Sequence, residues 1–220
     1  RRNLLLSRPI CRQILSIGFP PFLMQVVSSG LQSLMNHQLY AYGGDMAITA
    51  MGIIYAAIMF FVMPIIGLNQ GAQPILGYNY GARQFLRVRN TLKISIFMAT
   101  AAITAGYLII MTFPQHIIHL FNHNDPALSA LGVHAFRITM LMTPVIGFQI
   151  VGSGYFQAVG KSRTAALLML SRQVFFLIPA LIILPRIFGL NGVWAALPTA
   201  DFIASLVTGA FLFRELRRLQ

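Results

Sequence analysis

The chain has 220 residues, a formal charge of +12, 57% hydrophobic residues and only 9% charged ones. That balance excludes disorder and an ordinary soluble domain. The cations form no basic stripe interleaved with stacking aromatics, so no nucleic-acid partner is expected, and Cys11 stands alone, which rules out an internal disulfide or a CxxC site.

Six apolar stretches follow one another, near 13–38, 47–68, 94–113, 128–157, 164–184 and 191–213. About 20 apolar residues of helix cross a bilayer core of about 30 Å, and hydrocarbon leaves backbone groups no partner outside a helix. The predicted fold is therefore all-α, a polytopic bundle of six transmembrane helices. Of the 16 Lys and Arg residues, only Arg137, Arg172 and Arg186 lie outside alternate gaps. The gaps that hold the others carry Arg1 to Arg12, Arg83 to Lys93, Lys161 with Arg163, and Arg214 to Arg218. Short basic loops resist translocation, so both ends of this chain are expected on the cytoplasmic side of the lipid bilayer. The start, Arg1-Arg2-Asn3, has no initiating Met and no cleavage site, and reads as the middle of a longer chain.

Span one carries Gln25, Ser29, Gln32 and Asn36 at spacings of four, three and four, which puts them on one helix face. Such a face meets either neighbouring helices or a water-filled cavity, because polar groups on lipid are costly. Tyr42-Gly43-Gly44-Asp45 forms the first outer turn, and Gly77-Tyr78-Asn79-Tyr80-Gly81 opens the longest inner loop. Span two between them is uncharged and suits lipid. The second outer loop holds His116, His119 and His123 at helical spacing. With only Asp125 nearby, they fit an interfacial role better than zinc.

Span four is predicted as one helix across 128–157. Its Gln149-Ile-Val-Gly-Ser-Gly-Tyr-Phe-Gln157 is a faint echo of Gln25-Val-Val-Ser-Ser-Gly-Leu-Gln32, as inverted three-helix repeats would produce. Gly152-Ser153-Gly154 with His134 does not make a serine hydrolase, since a nucleophile elbow sits at a strand-to-helix turn. Gly160-Lys161-Ser162 lacks the earlier glycine of a phosphate-binding loop, with Tyr155 in its place. No catalytic, cofactor or metal residue is expected.

Arg137, Arg172 and Asp201 are charges at membrane depth, and Arg172 and Asp201 each lie about ten residues from a span end, near the midplane. Spans five and six are consecutive, so an Arg172–Asp201 ion pair is expected, with Arg137 nearby or facing water. The pair reads as a structural lock, because an Arg neighbour favours ionised Asp201. A proton path through Asp201 is the alternative.

Four motifs in order carry a family resemblance. They are Gly67-x-x-Gln70-Gly-Ala-Gln73-Pro74 running on to Gly81-Ala82, Phe156-Gln157-Ala-Val-Gly160-Lys161, Arg172-Gln173 with Pro179, and Gly189-Leu-Asn-Gly192-Val-Trp194 with Pro198-x-x-Asp201. With these the chain resembles the C-terminal half of a multidrug and toxic compound extrusion transporter of the MepA-like bacterial branch, over essentially all of 1–220. The resemblance implies one six-helix lobe of a twelve-helix, two-lobe protein of the bacterial inner membrane. It implies an antiporter exporting small cationic amphipathic compounds in exchange for H+ or Na+, with an N-terminal lobe absent from this chain. Gln25, Ser29, Gln32, Asn36 and Gln149 would then line the cavity. A lipid-linked oligosaccharide flippase of the same superfamily, whose cleft Arg137 and Arg172 would make cationic, and an isolated non-transporting lobe are the competing readings.

Overall fold

The computed structural model describes residues 8–121 and 125–218, and within them the side chains of residues 22, 25–121 and 125–217. Every described segment longer than a turn is helical. The order is α1 (Arg8–Gly81), α2 (Phe85–Thr112), α3 (Pro114–Phe121), α4 (Pro126–Thr139), α5 (Thr143–Ala158), α6 (Ser162–Leu170), a π-helical segment (Ser171–Leu177), α7 (Ile178–Phe188) and α8 (Leu190–Arg218).

α1 is two helices joined at Gly44, whose φ of 65° and ψ of −162° only glycine adopts without strain. Its apolar part, Gln25–Gly81, has 57 residues and would run about 85 Å if straight. The break instead lets arm 8–43 and arm 45–81 share one core, in which Met35 and Leu39 meet Met51 and Ile54. Four helical stretches are long and apolar enough to cross a membrane, and the α4–α5 pair is a fifth. The Gly44 break divides the first of these in two. Side chains such as Phe60 and Phe97 stand about three-quarters exposed. An apolar surface that open belongs in lipid.

Prolines decide two departures from regular helix. The single span expected over 128–157 is in fact broken at Met140–Met142, with α4 and α5 bent by 48°. Pro144 has no N–H for the Met140 carbonyl and disfavours helical backbone before it, so Thr143 N–H bonds to Met140 O in a tighter turn. Pro179 likewise follows the π-helical segment, in which Ile178 N–H reaches back five residues to Gln173 O.

The inner loop expected from Gly77 is shorter than the sequence indicates. Helix continues to Gly81, and only 82–84 link it to α2. Gly77 lies so close to α5 that a Cβ there would sit 2.9 Å from Ala158 O. Both turns at this end close with the same hydrogen bonds. Gln84 N–H reaches Asn79 O and Arg83 N–H reaches Tyr80 O. Lys161 N–H reaches Phe156 O and Gly160 N–H reaches Gln157 O. This is the Schellman closure, which places one residue in the left-handed region. Gly160 takes that position in one turn, at φ 79°, and Arg83 takes it in the other, at φ 56°.

Two apolar clusters fill the bundle. One surrounds Phe136 and Trp194 between α1, α4, α7 and α8. The other surrounds Leu92, Ile103 and Tyr155 between arm 45–81, α2, α5 and α8. Small residues bring the helices together, as lipid-embedded packing requires. A Cβ on Gly147 would lie 2.8 Å from the backbone of Ala99 in α2, and one on Gly106 would strike the Phe61 ring.

Candidate functional site: a polar face and an intramembrane ion pair

Arm 8–43 carries Gln25, Ser29, Gln32 and Asn36 on one face, and all four are exposed. Gln32 Nε2 donates to Asn36 Oδ1 at 3.3 Å, one helical turn on. Beside that face Ser28 Oγ donates to Gln173 Oε1 at 3.4 Å, tying the arm to the π-helical segment. Gln149 lies elsewhere. It is 8% exposed, inside the bundle, and the whole of 151–156 beside it is buried. The two Gln-rich segments that look alike in sequence therefore occupy opposite environments.

Arg172 and Asp201 meet. Arg172 Nε donates to Asp201 Oδ1 at 2.5 Å, with the Asp201 side chain 6% exposed and that of Arg172 30%. A charge-assisted bond of this kind is roughly twice as strong as a neutral one. It leaves no net charge between the π-helical segment and α8. Half-buried Tyr55, on arm 45–81, lies within the field of both groups. Arg137 does not join them. It is exposed in the last turn of α4, and neither ion pair among the described residues includes it. It sits in the carbonyl-terminal turn of α4, where a cation is favourable.

Three further polar contacts escape a reading of the sequence. Lys161 Nζ pairs with Glu215 Oε1, linking the α5–α6 turn to the end of α8. Burial disfavours the Lys161 cation. The hydrogen bond and charge of Glu215, with Tyr80, outweigh this and hold its pKa above the ordinary lysine value. The only signal in sequence was a lone Glu among the terminal arginines. His134 Nε2 meets Asn191 Oδ1 at 2.9 Å, and its ring meets Trp194 edge-on at 5.7 Å. Ser153 Oγ instead donates to Gln149 O at 2.8 Å, so His134 and Ser153 are not partners. His116 and His119 are exposed on α3, and His123 lies outside the described residues. Among the described residues no three His, Cys, Asp or Glu side chains converge as a metal site.

The profile of the MatE family matches residues 20–182, about three-quarters of the chain. The chain belongs to the MatE family. The multidrug export protein MepA of Staphylococcus haemolyticus is 27% identical over 213 residues, covering 97% of this chain and 46% of that protein. An inward-facing MATE transporter of the MOP superfamily superimposes with a TM-score of 0.92 at 22% identity, over 99% of this chain and 50% of that one. The MATE multidrug transporter DinF-BH is 36% identical with a TM-score of 0.79, over 96% of this chain and 48% of its own. This MatE chain thus spans about half the length of the curated relatives it matches. It is an all-helical, multi-pass membrane lobe.

Proposed function

We propose that this MatE chain is one lobe of a secondary active multidrug efflux antiporter. It exports cationic amphipathic compounds in exchange for H+ or Na+ by alternating access, as rocking of two lobes about a midplane site allows. The supporting observation is the exposed face of Gln25, Ser29, Gln32 and Asn36 on a lobe that otherwise presents Phe, Leu and Ile outward. A neutral polar wall of this kind holds cations without trapping them. The second lobe, of the size missing relative to MepA, supplies the opposite wall. The alternation of basic and non-basic gaps supports cytoplasmic placement of both ends. The Arg172–Asp201 pair serves as a lock between spans, and the coupling ion is the only co-solute the mechanism requires.

Everted vesicles from bacteria making the protein that contains this lobe test the reading. Ethidium uptake should follow an imposed H+ or Na+ gradient and fall at least tenfold in a Gln32→Leu/Asn36→Leu variant. Uptake equal to that of vesicles lacking the protein would refute it.

A further inference from the structure

We propose that the end of the lobe formed by the α1–α2 turn, the α5–α6 turn and the end of α8 binds the phosphate of an anionic phospholipid headgroup, with Arg83 and Arg89 as its anchors. Close contacts gather these segments. Gly77 abuts Ala158, Lys161 pairs with Glu215 and stands 5.9 Å from the centre of the Tyr80 ring, and Tyr80 packs on Phe85. Arg83, Arg87, Arg89, Arg163, Arg214 and Arg217 are all carried there.

No acid at this end balances them. The sequence has four acidic residues. Glu215 is buried and consumed by Lys161. Asp201 is consumed by Arg172, Asp125 caps α4 through Ala127 and Leu128 N–H, and Asp45 adjoins the Gly44 break at the far end of arm 45–81. Among the described residues none of the six arginines makes an ion pair or a side-chain hydrogen bond. Arg89 Nε is also buried without an acceptor, and a donor shut away from water needs one.

Arg83 supplies an independent observation. Its left-handed backbone fills a position that the matching turn gives to Gly160, where a side chain is disfavoured. The proposed site gives that arginine a use for its charge at a position where backbone preference favours glycine. The neighbouring surface is apolar, with Leu86 73% exposed beside Arg87 and Phe213 57% exposed beneath Arg217, whose guanidinium lies 4.3 Å from the ring centre. Cations set one turn from exposed apolar groups, at the ends of spanning helices, match the boundary between acyl chain and headgroup. That depth selects a lipid over a free anion. The lipid site is independent of what the lobe transports.

Native mass spectrometry of the protein that contains this lobe, released from neutral detergent with phosphatidylglycerol or phosphatidylcholine of the same acyl chains, tests it. The wild type should retain phosphatidylglycerol preferentially. Arg83→Gln and Arg89→Gln should each lower that retention about fivefold, the factor for one cation near an anionic headgroup. Arg83→Gly relieves the backbone yet should lower retention by the same factor, so stability and lipid binding move in opposite directions and misfolding is separated from lost binding. Arg186→Gln, in the last turn of α7 at the other end, should change nothing. Equal retention of the two lipids, retention undiminished in Arg83→Gly, an equal loss in Arg186→Gln, or displacement by inorganic phosphate would each overturn the assignment.

Discussion

Arg172 donates to Asp201 across 29 positions of sequence, joining the π-helical segment to α8 between two helical stretches apolar enough to cross a membrane. The bond accounts for two charges that lipid would otherwise penalise. It also fixes the rotation of one span against the next, because both side chains come from helices that must present them to each other.

Removing Asp201 leaves the partly buried Arg172 charge without its acceptor. Asp201→Ala should destabilise the lobe by about 1–3 kcal/mol, the cost of a donor left without its partner. The exchange Arg172→Asp with Asp201→Arg should recover most of that loss. Thermal melting of the lobe in nanodiscs checks both. A proton carrier at Asp201 would show the opposite pattern in transport, with activity lost in the exchange variant despite a restored fold.

Contact between α2 and α5 depends on the absence of a side chain at Gly147. An added Cβ meets the Ala99 carbonyl carbon and oxygen at 2.8 Å and Thr100 N at 2.9 Å, all backbone atoms that cannot rotate aside. Gly147→Ala should cost about 1–3 kcal/mol, read as a lower melting temperature. Gly30→Ala is the control, since nothing lies within 4 Å of a Cβ there. It should be neutral or stabilise helix by up to about 1 kcal/mol.

The Lys161–Glu215 pair gives a pH dependence of definite sign. The folded-state pKa of Lys161 lies above the unfolded value. Its contribution is therefore complete below the unfolded lysine pKa and is lost as pH rises through the higher folded value. Because the Lys161 side chain is 35% exposed, the contribution is at most about 1 kcal/mol. Stability measured between neutral and strongly alkaline pH should fall in the wild type more than in Glu215→Gln.

Much of the bundle is legible in sequence because lipid imposes simple rules. Long apolar runs must be helices, and alternate basic gaps separate them. Glycine at 44 and 160 marks turns that the structure realises in the left-handed region. The breaks before Pro144 and Pro179 were harder to read, because Pro64 and Pro198 lie within helices that continue past them. What a proline does depends on whether neighbours satisfy the carbonyl it abandons. The Arg172–Asp201 pair was legible because consecutive spans must be adjacent. Gln149 was not, because a polar residue in a short motif gives no direction, and here it points into the bundle. Lys161–Glu215 needed the three-dimensional meeting of a turn with a distant helix end.

Thiol accessibility of the polar face tests the central claim most directly. In a background with Cys11→Ser and every other cysteine of the transporter replaced, single cysteines at Gln25, Ser29, Gln32 and Asn36 should react with a membrane-impermeant maleimide in the assembled transporter. Cysteines at Phe60 and Phe97 should not, because those exposed positions meet lipid. Equal protection of both sets would contradict a water-facing wall, and with it the reading of this lobe as half of an export pathway.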